Sequence, residues 1–325
     1  FIPDSEQDNF TKLDDDELQE IHERLKGSPS IYKAKYTSLT MDDVIKNLMD
    51  DLEEYCKDIA DVKLDEIKFE SARAKIDFSR LNRKKNKHVT GCIQFADIRG
   101  FTKLFNVSDS NLDDLFAVLQ MLYQKLNDCV DLADGVRVQF QGDRIVAVFN
   151  SFSDESDEDI IRAFEASLKI KDEVECINNE KCDELGRHKL KIGIGISFGE
   201  FYATRLGIRH NMDNLVLGSI VKKSDIAEDK YADNNEIVVT KEYKDKVDEL
   251  STDSIKCKVI LENLTSISTT GYYKTTVSFS DYESRVKELI DEQEANAKEV
   301  TGAAIAAKSI TTNIGKERTL RPWGN

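Results

Sequence analysis

Two stretches limit what this chain can fold into. Gly91-Cys-Ile-Gln-Phe-Ala-Asp97 is a short apolar strand that ends on a carboxylate. It turns through Gly100 toward a helix whose apolar positions are Leu112, Leu115, Phe116, Leu119, Leu122, Tyr123, Leu126 and Val130. Farther along, Val136 to Phe149 has the pattern of a tight β-hairpin turning at Gly142-Asp143, flanked by residues of high strand propensity. Placing two carboxylates together, one at a strand end and one at a hairpin tip, is costly without a cation between them, because like charges raise each other's pKa. Either aspartate alone is explained as a helix-entry cap or a turn residue. As a pair, Asp97 and Asp143 predict a shared metal site.

The order of elements fixes the fold class. Strand 91–97, helix 109–132, strands 136–142 and 144–149, helix 157–179 and strand 189–198 spell β-α-β-β-α-β. That is an α+β, ferredoxin-like βαββαβ plan with helices on one face of a sheet. The second helix begins among acidic residues and offers Ile160, Ile161, Phe164, Leu168, Ile170 and Val174 as its buried face. Strand Leu190 to Phe198 alternates branched residues with Lys and Gly, as expected where another backbone approaches closely. Further strand and turn are expected over 199–207. A helix running from Gly218 through Ile226 follows, then strands at 237–240, 256–261 and 272–279 and a charged helix over 281–299. Ahead of the core, helices are expected over 13–25 and 41–55, then a third segment over 67–81. The basic run from Arg80 to His88 is expected to be a solvated linker.

Composition excludes several classes. With 62 acidic and 46 basic residues the formal charge is −16, which argues against nucleic-acid binding and against docking on anionic membrane. Six scattered cysteines without a CxxC pair, and only four histidines, do not form a zinc site and are expected to be reduced thiols of a cytoplasmic protein. No run approaches the roughly 18 apolar residues needed to span a bilayer.

Paired carboxylates of this kind can bridge two divalent ions about 4 Å apart, the arrangement for in-line displacement at phosphorus. The backbone N–H groups from Ile98 to Thr102, at a turn into a helix, are placed to cradle anionic oxygens. The chemistry implied is nucleotidyl transfer. No Ser-His-Asp or Cys-His arrangement competes, since His22, His88, His188 and His210 all lie in polar contexts.

Phe95-Ala-Asp-Ile-Arg-Gly-Phe-Thr102 and Phe140-Gln-Gly-Asp-Arg-Ile-Val-Ala-Val-Phe149 resemble the two metal-binding motifs of class III nucleotidyl cyclases, over roughly residues 89–245. The resemblance implies a head-to-tail homodimer with sites at the interface. It implies two magnesium or manganese ions held by Asp97, Asp143 and the backbone of Ile98. It also implies attack of a ribose 3′-hydroxyl on the α-phosphate with loss of pyrophosphate. The nucleotide would be cradled by Ile98, Gly100, Phe101 and Thr102. On this resemblance the chain divides into an N-terminal helical extension (1–86), a catalytic domain (87–285) and a C-terminal helix with a mobile tail (286–325).

Departures from the family pattern bear on the substrate. Where adenylate cyclases carry a purine-reading Lys this chain has Gln139, and where they carry an Asp it has Leu215, which cannot accept from an adenine amino group. Lys222 and Ile226 stand where the family has its transition-state Asn and Arg. Lys222, Arg144, Arg205 or Arg209 could supply the missing positive charge. The combination looks like the bacterial pyrimidine cyclases of Pycsar anti-phage defence, which implies a cyclic pyrimidine messenger sensed by a separate cyclic-nucleotide-binding effector. CTP is expected before UTP. The alternatives are an adenylate or guanylate cyclase, and a catalytically degenerate nucleotide-binding scaffold.

Overall fold

A computed structural model describes residues 67–72, 74–82, 84–101, 112–151, 156–181, 185, 189–208, 211–268 and 270–301, together with Lys46. The chain divides between Val62 and Lys63, and every described residue except Lys46 belongs to the second part. The helices expected over 13–25 and 41–55 (Lys46 apart), and the tail beyond 301, lie outside the described residues.

Strands β1 (Lys68–Ser71) and β2 (Lys85–Ile98) lead to helix α1 (Leu112–Leu132). The hairpin β3 (Val136–Gln141) and β4 (Arg144–Phe149) then leads to α2 (Ser156–Glu180), β5 (Ile192–Ile208) and β6 (Asn211–Leu217). Helix α3 (Ser219–Ile226) continues into a π turn, Ala227–Tyr231. The remaining elements are β7 (Glu236–Thr240), α4 (Lys241–Leu250), α5 (Ile255–Glu262), β8 (Thr265–Ser266), β9 (Tyr272–Thr275) and α6 (Phe279–Thr301). The strands form one sheet in the order β3-β4-β2-β5-β7-β9-β8, with β1 beside β2 and β6 beside β5.

The axis of this sheet is the antiparallel pairing of β2 with β5, continuous from Lys87↔Ala203 to Ile98↔Ile192. Helices α1, α2, α4, α5 and α6 bury their apolar stripes on one face, where Leu122, Leu126, Ile160, Phe164, Leu168, Tyr243 and Tyr282 have at most 1% of their surface exposed. Burial of each such side chain contributes about 1.5–3 kcal/mol. Helix α3 and a 3-10 turn at Phe78–Arg80 cover a second cluster on the opposite face, built from Val89, Ile93, Phe95, Val138, Val146, Phe201 and Ile220.

Three expectations need correction. The basic run is not a linker, because Lys85 to His88 open β2 and pair in parallel with β1. Asn86 within it is buried and accepts from the Thr204 hydroxyl, so the helical extension drawn over 1–86 includes sheet at its end. The segment 256–261, with its branched residues Val259 and Ile260, is helix rather than strand. It starts at an N-cap whose Ser254 hydroxyl accepts from the Cys257 amide at 3.3 Å. Finally, the strand expected over 189–198 and the strand-and-turn expected over 199–207 are one long strand, β5.

Candidate active site

Sheet register brings the two aspartates together. Asp97, the last residue but one of β2, lies on a rung between Gly193 of β5 and Arg144 of β4. Asp143 is the chain neighbour of Arg144, in the two-residue turn of the hairpin, where Gly142 takes a φ of 64°. Helix α1 braces that turn. The Tyr123 hydroxyl donates to the Gly142 carbonyl, and its ring meets Phe140 edge-on with centroids 4.6 Å apart. Burial raises the pKa of both aspartates, and the charge of Asp143 raises that of Asp97 further, against the opposing pull of Arg144 and Arg99.

A group that the sequence did not single out lies behind this pair. Glu228, in the π turn, is completely buried. Its Oε1 is 2.6 Å from Arg99 Nη1 and its Oε2 is 2.7 Å from Arg144 Nη2. Arg144 also reaches Asp225 on α3 at 2.6 Å, and Arg99 donates to the Ala232 carbonyl at 2.8 Å. Both guanidiniums stand farther from Asp97, at 3.5 and 3.8 Å. Burial raises the Glu228 pKa to about 7 although the two arginines pull it down.

Two glycines make this packing possible. A Cβ at Gly193 would lie 2.0 Å from the Arg99 guanidinium, and one at Gly195 would lie 2.2 Å from the Ser224 carbonyl and 2.5 Å from the Glu228 amide. The close approach expected of this strand is thus the approach of α3 and its π turn. Ser224 fixes the helix there, donating to the carbonyls of Ile93 and Gly195, each at 2.9 Å.

The donor set at the aspartates suits a hard divalent cation, which takes carboxylate oxygens. Asp143 makes no ion pair among the described residues, and a cation between the two carboxylates would reverse the repulsion that raises Asp97. The described residues contain no cluster of three or more His, Cys, Asp or Glu side chains able to hold a metal. A cation here would therefore complete its coordination from backbone or ligand oxygens. Ile98 is buried at the end of β2 beside Ile192, next to Asp97. Gly100 turns the chain with a φ of 74°, and Phe101 packs on the core. Thr102 lies outside the described residues. Within the expected cradle the Arg99 amide is already committed to the Lys191 carbonyl at 2.7 Å.

The base-reading candidates lie on β3 and β6. A bulge between Arg137 and Gln139 inserts one residue into β3. Val136 and Val138 accordingly pack on the face covered by α3, while Phe140 packs with the helices on the other, although strict alternation would put all three on one face. Asn214 on β6 donates to the Val138 carbonyl at 3.1 Å, and Gln139 and Leu215 are the residues that follow these two in the chain. Lys222 is on the outer side of α3, exposed and without an ion-pair partner among the described residues, because Ile220 and Ser224 take the side that faces the sheet. Of the other cations considered, Arg144 reaches Asp97, Arg205 donates to the Met212 carbonyl at 3.2 Å, and Arg209 lies outside the described residues.

Comparison with known proteins agrees with the geometry. The family model for the adenylate and guanylate cyclase catalytic domain matches residues 83–262, more than half of the chain. No curated protein sequence matches. Among solved structures, a class III adenylyl cyclase-like ATP-binding protein from Pseudomonas aeruginosa aligns with 17% identity and a TM-score of 0.56, covering 85% of this chain and 54% of that one. The chain therefore spans about half the length of that protein, and at this identity the likeness shows the fold alone. The adenylyl cyclase CyaB from P. aeruginosa (18% identity, 59% of this chain and 96% of that one, TM-score 0.48) is also similar. So is the guanylyl cyclase Cya2 (24% identity, 49% and 78%, TM-score 0.44).

Proposed function

The chain belongs to the adenylate and guanylate cyclase catalytic domain family, and from that premise we propose that it cyclises a pyrimidine nucleoside triphosphate, CTP before UTP. The products are the 3′,5′-cyclic monophosphate and pyrophosphate. What supports the choice of base is the pair of residue types at the two base-reading positions, Gln139 and Leu215. A leucine offers no acceptor to the adenine amino group, whereas a glutamine side chain has both a donor and an acceptor for a pyrimidine edge.

In this reading Asp97 and Asp143, with the Ile98 backbone, bind magnesium or manganese, whose charge offsets that of the phosphates when bound. Gly100, Phe101 and Thr102 receive phosphate oxygens. Lys222, exposed and uncommitted to any described partner, supplies positive charge in place of the family's Asn and Arg. The protein acts as a head-to-tail homodimer in which Gln139, Leu215 and Lys222 of one protomer complete the site begun by the aspartates of the other. Its product is a cytoplasmic second messenger for a separate cyclic-nucleotide-binding effector in anti-phage defence. This last step rests on the motif resemblance alone.

The test is incubation of the purified protein with ATP, GTP, CTP and UTP separately, with manganese, and mass spectrometry of the products beside an Asp97→Ala control. A cyclic pyrimidine monophosphate absent from the control is the expected result. Cyclic AMP or cyclic GMP would overturn the assignment of the base. Nucleotide binding without product from any triphosphate would favour the scaffold.

A further inference from the structure

Glu228 is placed to do more than fill the space under the π turn. The residue after Asp143 and the residue two after Asp97 are both arginines, and both turn away from solvent onto this one buried carboxylate. Their distances to Glu228, 2.6 and 2.7 Å, are those of close ion pairs, although neither Glu228 carboxylate oxygen accepts a hydrogen bond among the described residues. Their distances to Asp97, 3.5 and 3.8 Å, are longer than an ordinary hydrogen bond. Two carboxylates thus compete for the same pair of cations, and Glu228 holds them. Asp225 adds a second hold on Arg144, but from a partly exposed position. The arrangement is built into the sheet, since the glycines at 193 and 195 leave the volume that Arg99 and the Glu228 backbone occupy.

We propose that Glu228 is a positioning residue that draws Arg99 and Arg144 off Asp97 and so keeps that aspartate open to a divalent cation. The inference rests on the reading of Asp97 and Asp143 as cation ligands. Without the Glu228 charge, the nearest anion to Arg99 is Asp97 itself, and the anions left to Arg144 are Asp225 at 2.6 Å and Asp97 at 3.8 Å. A closed salt bridge there would occupy the oxygens that the cation needs. Because Glu228 follows α3, the same contact ties both metal-binding turns to the helix that carries Lys222.

The experiment is a titration of the nucleotide-free protein with Mn2+, followed by the loss of the free-ion electron paramagnetic resonance signal, with thermal unfolding recorded alongside. Glu228→Gln is expected to need about 10- to 100-fold more Mn2+ than the wild type, the usual cost of losing a group that orients a metal ligand. Adding Arg144→Gln to Glu228→Gln is expected to recover part of that affinity, which a purely structural role would not produce. Arg144→Gln alone leaves Glu228 paired with Arg99, and is expected to bind Mn2+ at least as tightly as the wild type, so the test stands even if the Glu228 variants fold poorly. Mn2+ affinity unchanged in Glu228→Gln, or weakened tenfold or more by Arg144→Gln alone, would overturn the proposal. A wild-type protein that binds no Mn2+ would instead remove the cation site, and the inference with it.

Discussion

Glu228 and Glu165 are both buried carboxylates, yet they belong to different kinds of neighbourhood. Glu165, on α2, meets Lys256 of α5 at 3.0 Å and the Tyr282 hydroxyl of α6 at 3.1 Å. All of its partners are helical side chains on the covered face, and burial raises its pKa against the pull of Lys256. Glu228 meets two arginines that flank the two site aspartates in the chain. The same chemical event, a carboxylate taken out of water and paired, therefore joins three helices in one place and in the other holds the two arginines that flank the candidate site's aspartates. What a buried charge does depends on where its partners lead.

Experiments can break or sharpen this contrast. The largest effect belongs to the aspartates: Asp97→Ala should lower product formation by more than about 100-fold, since loss of even an outer partner of a metal ligand costs up to that much. Lys222→Ala should cost kcat about 100-fold as a lost charge-stabilising donor. Mixing it with Asp97→Ala should restore activity if the dimer shares its sites, and a mixture as dead as its components would count against the head-to-tail arrangement. Glu165→Gln should lower stability by about 1–3 kcal/mol through the partners left unpaired, with kcat and KM of the folded enzyme unchanged. Altered kinetics there would end the contrast with Glu228. Leu215→Asp combined with Gln139→Lys should raise turnover of ATP relative to CTP by about tenfold, equivalent to about 1.4 kcal/mol, measured as the ratio of kcat/KM values.

A separate effect concerns pH. Asp159 is buried, accepts from the Ser151 amide at 3.0 Å and has its pKa raised to about 7 from the ordinary value of 3.8 by burial. The folded protein holds this proton more tightly than the unfolded chain does. Its contribution to stability is thus greatest below pH about 4 and fades as pH rises toward about 7. Asp159→Asn should flatten that part of a plot of denaturation midpoint against pH; a slope unchanged in the variant would mean that another group supplies it.

Much of this was legible in the residues, and what was not has physical reasons. Asp97 and Asp143 stood out because a strand that stops on a carboxylate, and a Gly-Asp turn between strands, are local patterns that need no knowledge of the rest of the fold. Gly193 and Gly195 announced a close approach but not its agent. Glu228 sits in Asp225-Ile-Ala-Glu-Asp-Lys, which has the composition of a solvated helix end. Only the π turn, which shifts the helical phase, carries it inward between two arginines that lie 129 and 84 positions earlier in the numbering. An acidic residue following the small, buried Ala227 was the one available hint. The helix Ile255–Glu262 has the look of a strand in sequence because branched residues dominate its middle, and its place in the helical layer outweighs their strand preference.

The bulge in β3 has a consequence for how chains of this kind diverge. By adding one residue it lets Val136 and Val138 both face the side covered by α3, with the Val138 carbonyl taken by Asn214 and the proposed reader Gln139 next in the chain. A sibling chain one residue shorter between 136 and 140 would restore plain alternation, keep its hairpin tip and its aspartate, and forfeit either the anchor or the reader. On the proposed reading of Gln139, the wall that faces the base can therefore be rebuilt by a change in length that leaves every motif residue intact. Substrate preference among such chains should follow loop arithmetic as closely as it follows side-chain identity.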